Sequence, residues 1–179
     1  AKPDVAIIAC GGDVISLDVP GADGKNVVQS HAFLEMLNGQ KPASKGVFNN
    51  FMWWGATTFL RFYYTPSFAR AVTAKLNWPI SRDVAIVGGG LPGCEFGELC
   101  RETGRKAVII EERKKVGWDV GGSDRFGLIN GFKKAENIEM YPLTRVTEIT
   151  EEGVKAVKSD AEGSVEEVFI PAKTVAVTL

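Results

Sequence analysis

Residues 84–95 read Val-Ala-Ile-Val-Gly-Gly-Gly-Leu-Pro-Gly-Cys-Glu, and no other part of the chain restricts its fold so tightly. Val84, Ala85, Ile86 and Val87 read as a strand. Gly88, Gly90 and Gly93 follow as G-x-G-x-x-G, and 92–103 reads as a helix that Gly104 stops. Each glycine has its own mechanical task. Gly88 permits the tight turn out of the strand, Gly90 lets a pyrophosphate lie against the backbone, and Gly93 lets the helix pack close to the strand. The helix then points its free N–H groups and positive dipole end at the phosphates.

A glycine turn alone is a weak signal, but here a second strand over 107–111 ends on Glu111, 18 residues after Gly93. A carboxylate at that place accepts the ribose hydroxyls of an adenosine. It also favours NADH over NADPH, because a 2′-phosphate ~4 Å from a carboxylate costs up to ~4 kcal/mol at an effective dielectric of ~20. Arg113, Lys114 and Lys115 lie just beyond and offer charge to a 2′-phosphate, which keeps NADP(H) open as the second candidate. Gly88, Gly89, Gly90, Leu91, Pro92, Gly93, Glu95, Glu111, Glu112 and Arg113 make up the expected cofactor-contacting set. Glu95 is expected in the first turn of the helix, where a carboxylate also suits the dipole. The sequence nominates no catalytic residue and no metal ligand.

A helix over 124–134 and a strand over 138–141 complete a βαβαβ unit of the doubly wound kind. Strands over 145–150, 154–158 and 165–170 predict a small antiparallel meander, and 174–179 a last buried strand. Nearer the start, 4–9 is another buried-type strand broken by Gly11-Gly12; 14–28 carries turn chemistry, and a short helix is predicted over 32–37. The expected fold class is therefore α/β: a Rossmann-like FAD/NAD(P)-binding fold, a parallel sheet flanked by helices, plus the meander. Counted from 84–87, its strand order is 3-2-1-4-5, with 5–9 outermost beside 174–178. The aromatic stretch 48–78, with a helix start at Thr65-Pro66, is read as core or interface filler.

Composition narrows the function classes. At 179 residues the chain has the length of one domain and buries about 70% of its unfolded surface. Lys plus Arg is 21 and Asp plus Glu is 22, which leaves no basic excess for nucleic acid. Cys10, Cys94 and Cys100 lack metal-ligand spacing, which argues against a zinc site or iron-sulfur cluster held by this chain alone. Cys94 and Cys100 fall on different faces of their helix, so they do not read as a redox pair. The odd cysteine set fits a reducing, cytoplasmic setting. The apolar stretch 51–60 is about half of the ~20 residues that span a bilayer, and the opening Ala-Lys-Pro-Asp does not read as a signal peptide. No membrane partner is expected. His31, the single histidine, sits beside a cap position and is read as structural, so His-based hydrolase chemistry loses support.

Assembled, these segments resemble the middle portion of the NADH:flavin oxidoreductases related to 2,4-dienoyl-CoA reductase, 2-enoate reductase and trimethylamine dehydrogenase, with a nicotinamide module of the pyridine nucleotide-disulfide oxidoreductase type. Residues 4–12 look like the strand and turn that precede that module, with Cys10 where Thr is usual. Val19-Pro20-Gly21 and Ser30-His31 look like the crossover that follows. Phe59-Leu60-Arg61-Phe62, Pro66, Phe68, Arg70 and Trp78-Pro79-Ile80 resemble an aromatic insertion found in part of the family. Residues 87–95 and 108–111 match the nicotinamide half, and 149–154 its meander. The resemblance implies three parts: 1–45 leading in from the flavin-binding region, 46–80 as an aromatic-rich helical insertion, and 81–179 as the NAD(P)-binding domain. It implies an enzyme in which a separate barrel carries FMN and an iron-sulfur cluster, a second dinucleotide fold carries FAD, and electrons run from nicotinamide through FAD to an activated double bond. In that setting Glu95 faces the flavin side, and the chain acts as an excised nicotinamide-binding domain, inactive by itself. Its partners are then the dinucleotide, the FAD domain and the FMN barrel, with self-association through the aromatic segment as a further expectation.

Two other readings stay open on the residues. Glu111 followed by Val116-Gly117 and Gly121-Gly122 is loosely like an FAD site, and the aromatic segment would also serve a non-enzymatic nucleotide-sensing or interaction module as a docking surface. A methyltransferase is weaker, because Ile86-Val87 stands where that class carries an acidic residue before its glycine loop.

Overall fold

Alternation along one short strand sorts the molecule into layers. In Asp83–Val87, Val84 and Ile86 pack into one apolar cluster while Ala85 and Val87 pack into another, so both faces of the strand are covered. The computed structural model describes residues 5, 16–29, 55, 58, 75, 80–160 and 162–179. His31, Cys10, the 32–37 helix and nearly all of the aromatic segment lie outside the described residues.

In chain order the elements are β1 (Val27–Gln29), β2 (Asp83–Val87), α1 (Leu91–Glu102), β3 (Lys106–Ile110), α2 (Gly122–Lys134), β4 (Ile138–Tyr141), β5 (Thr144–Thr150), β6 (Gly153–Ser159), β7 (Val165–Pro171) and β8 (Thr174–Val177). Five strands form a parallel sheet in the order β1-β8-β2-β3-β4, and β5-β6-β7 form an antiparallel sheet of three. Among the described residues α1 and α2 pack on one face of the large sheet: Cys94, Phe96 and Cys100 of α1 and Phe132 of α2 meet Val84, Ile86, Ile109 and Ile138. The three-stranded meander covers the other face, where Val146, Ile149, Val154 and Ile170 meet Ala85, Val87, Ile110 and Val175. Among the described residues, no helix is long and apolar enough to cross a membrane.

The βαβαβ run, the meander and the final strand appear where the sequence puts them, within two residues at most ends. The outer strand does not. Val27 to Gln29 pair with Val175 to Val177, and β2 occupies the other edge of β8. Both edges of β8 are thereby filled, so the place expected for 5–9 beside 174–178 is taken by a segment that the sequence shows as turn chemistry, while residues 6–9 themselves lie outside the described residues. That segment is fixed by tertiary bonds: Val175 donates its N–H to Asn26 O at 2.9 Å, Asn26 Nδ2 donates to Thr150 O at 2.8 Å, and Ile149 donates to Pro20 O at 2.8 Å.

Phe132 is fully buried where α2 meets α1 and β3. Its ring lies 3.2 Å from the position a Cβ on Gly97 would take, so the contact has no slack. A Phe132→Ala substitution removes this ring from a close-packed site, and chemical denaturation should show a loss of about 3–5 kcal/mol with an unchanged denaturant slope.

Candidate dinucleotide-binding site

The glycine turn is shaped by two contacts that no other residue type would permit. Gly88 has φ +105°, a backbone region that side chains disfavour. A Cβ on Gly93 would lie 1.9 Å from Gly88 O, so α1 crosses the end of β2 at a distance only glycine allows. Gly90 stands at the N-cap of α1 without a side chain to bond the first-turn N–H groups, which leaves those donors for an incoming anion.

The turn is clamped from both neighbouring strands. From β3, Ile110 O accepts the Gly88 N–H at 2.9 Å; from the end of β8, Thr178 donates its N–H to Val87 O at 2.9 Å and sets its hydroxyl 2.8 Å from Gly88 O. Glu111, 6% exposed, adds a third attachment. Its Oε2 accepts the Gly89 N–H at 2.8 Å and its Oε1 accepts the Arg113 N–H at 2.7 Å. Two donors leave a carboxylate with unused lone pairs, and Glu111 lines the cleft in front of the turn. Gly89 is held to glycine by this arrangement, since a Cβ there would lie 2.9 Å from Glu111 Cβ.

The cleft encloses about 500 Å³ at the carboxyl ends of β2, β3 and β8. Of the expected set, Gly88, Gly90, Pro92, Glu111, Glu112 and Arg113 line it. Gly89 and Gly93 act behind the wall through the contacts above, and Leu91 is 43% exposed at the head of α1. Glu95 lies outside the first turn in which the sequence puts it. The helix starts at Leu91, no acidic residue falls in its first turn, and Glu95 is exposed and does not line the cleft.

Trp118 and Asp119 belong to the site although the sequence does not single them out. The loop 112–121 folds back over the glycine turn because Gly117, at φ +68°, donates its N–H to Gly89 O at 2.6 Å. This puts Asp119 Oδ2 3.0 Å from the Cβ position of Gly90. It also sets the Trp118 ring under the Arg113 guanidinium, whose carbon lies 3.5 Å from the ring centroid. Arg113 O in turn accepts the N–H of Leu143 at 3.1 Å, and Leu143 is the one non-glycine among the described residues with positive φ, at 55°. A Gly directly before a Trp, ahead of a second glycine pair, was the available signal.

Cys94 sits under the turn with its Sγ 3.5 Å from Gly89 O. Burial first, then the carboxylates of Asp119 and Glu111, push its thiol up to about 11, and burial pushes Cys100 up to about 12. Both thiols are free and buried.

A parallel sheet whose first βα turn is clamped in this way, with a carboxylate following the next strand, defines a Rossmann-like FAD/NAD(P)-binding fold. The chain belongs to the pyridine nucleotide-disulphide oxidoreductase family, which it matches over residues 2–179. It is 31% identical over 91 residues to an NADH oxidase of Thermoanaerobacter brockii, a stretch that covers 51% of this chain and 14% of that protein. It is 33% identical over 82 residues to a bilirubin reductase of Mediterraneibacter gnavus (strain CC55_001C), covering 46% of this chain and 12% of that protein. The chain thus spans about a seventh or less of the curated relatives it matches. Among solved structures, a 2-naphthoyl-CoA reductase bound to 2-naphthoyl-CoA shares the fold with a TM-score of 0.60 at 20% identity, over 95% of this chain and 19% of that one.

Two outcomes are expected. Gly93→Ala forces α1 away from Gly88 O, and thermal unfolding should report a loss of about 1–3 kcal/mol. Between pH 9 and 11 the unfolded chain releases its Cys94 proton while the folded chain keeps it, so the unfolded state binds fewer protons and stability falls as pH rises. Denaturation curves across that range should be less steep in pH for Cys94→Ala than for the wild type.

Proposed function

We propose that this chain is the NAD(H)-binding domain of a multidomain flavin-dependent oxidoreductase similar to 2,4-dienoyl-CoA reductase, and that it positions nicotinamide for hydride transfer to FAD. The observation that carries the proposal is the buried Glu111 carboxylate, anchored to Gly89 N–H at 2.8 Å and facing the cleft in front of the uncapped α1. The site fits the cofactor in its parts. The first turn of α1 supplies N–H donors that no cap side chain takes, which suits a diphosphate, and the unused lone pairs of Glu111 suit a ribose diol.

The nicotinamide supplies the hydride; the residues here bind and orient. The relative named NADH oxidase supports the choice of NADH, and the one named bilirubin reductase supports a reductive reaction in the intact protein. FAD, FMN and an iron-sulfur cluster belong in this proposal to further domains, and the electrons finally reduce an activated C=C bond. The 81–179 unit carries the cofactor, 1–45 leads in from the flavin region, and the aromatic 46–80 segment meets those other domains. Contact with them, and a place for Glu95 on the flavin side, follow from the same resemblance.

Calorimetric titration with NADH and NADPH in parallel tests the proposal. NADH should bind more tightly, and the difference should shrink in Glu111→Gln, which removes the charge that repels a 2′-phosphate while keeping one acceptor for Gly89. Binding of neither dinucleotide, or an NADH preference indifferent to Glu111, would overturn it.

A further inference from the structure

We propose that Arg113 and Trp118 form a preassembled stacking plate for the adenine ring, so that the adenosine half of the dinucleotide anchors it to this chain. The inference rests on the dinucleotide reading above and adds the residues that grip the base. Both backbone polar groups of Arg113 are held: its N–H donates to Glu111 Oε1 at 2.7 Å, and its carbonyl accepts from the Leu143 N–H at 3.1 Å. Leu143 adopts φ 55° to reach that carbonyl, a left-handed conformation that an ordinary residue keeps only where its surroundings impose it. Trp118 is held through Gly117, whose N–H bonds Gly89 O at 2.6 Å. The two backbone segments are thus fixed independently, and the side chains they carry meet at 3.5 Å on the wall of the cleft.

Stacking explains the charge pattern of this wall better than phosphate binding does. Beside Arg113 stand Glu111, whose carboxylate its backbone bonds, and Glu112, so a 2′-phosphate on the ribose would meet two carboxylates along with the guanidinium. Adenine carries no charge. The Arg113 guanidinium carbon lies 3.5 Å from the Trp118 ring centroid, and a guanidinium is planar, weakly hydrated and suited to stack on a heteroaromatic ring as well. The base is bonded directly to the ribose, and Arg113 lies two residues beyond Glu111 with its backbone bonded to that carboxylate. A ribose held by Glu111 thus brings its base to the Arg113–Trp118 wall.

The test measures the affinities of NADH, ADP-ribose and nicotinamide mononucleotide for the wild type, Trp118→Ala, Trp118→Phe, Arg113→Ala and Arg113→Lys, with thermal unfolding of each variant. Trp118→Ala should weaken NADH and ADP-ribose about tenfold and leave the mononucleotide unchanged, and Trp118→Phe should recover most of the loss. Arg113→Lys should lose as much as Arg113→Ala, because an ammonium has no plane to stack. ADP-ribose binding indifferent to Trp118 overturns the plate while the dinucleotide reading stands. So does a loss shared equally by the mononucleotide, which would mean a structural role or a nicotinamide-side contact. Arg113 is exposed, so its Lys variant decides the matter even where Trp118→Ala fails to fold. A wild type that binds neither NADH nor ADP-ribose overturns the dinucleotide reading itself, and the plate with it.

Discussion

A single carboxylate joins two of the loops that line the cleft. Glu111 leaves the end of β3 and bonds one backbone N–H on each side, Gly89 in the glycine turn and Arg113 in the loop that follows. Bonds of this charged kind are roughly twice as strong as neutral ones, and a buried carboxylate without them would be costly. The glycine turn, the direction of α1 and the start of loop 112–121 therefore share one reference point. Thr178 supplies the opposing grip from β8, and the turn is held between the two.

The layers explain why the cleft lies where it does. Helices cover one face of the parallel sheet and the meander covers the other, so the carboxyl edge of the strands is left as the place where loops can gather. From β2 the chain moves to β3 on one side, while β8 fills the other side much later in sequence. The crevice opens at that reversal of strand order, the usual ligand position in open α/β sheets.

What the sequence made legible was whatever depends on neighbours along the chain. The apolar run into Gly88, the glycine spacing to Gly93 and the strand ending at Glu111 each carry their meaning locally. β1 does not: Val27–Gln29 is three residues long, follows turn chemistry, and becomes a strand because the edge of β8 is there to pair with. Trp118 and Asp119 reach the cleft only through the fold-back at Gly117, which a linear pattern does not encode. Glu95 shows how sensitive such readings are to phase. Starting the helix at Leu91 instead of Pro92 moves Glu95 out of the first turn, and the cleft does without it.

The interior position of β8, between β1 and β2, has a consequence for how the molecule forms. β2, β3 and β4 can assemble with α1 and α2 from contacts close in sequence, but the second edge of β2 stays unpaired until Thr174 to Val177 arrive about ninety residues later. Until then the growing chain presents Val84 to Val87 as an open, apolar strand edge, the kind that pairs with other chains. Closure by β8 is thus a late, long-range event, slow by the measure of sequence separation, and it delivers Thr178 to the glycine turn in the same step. The open edge of β2 closes and the turn acquires its second clamp together.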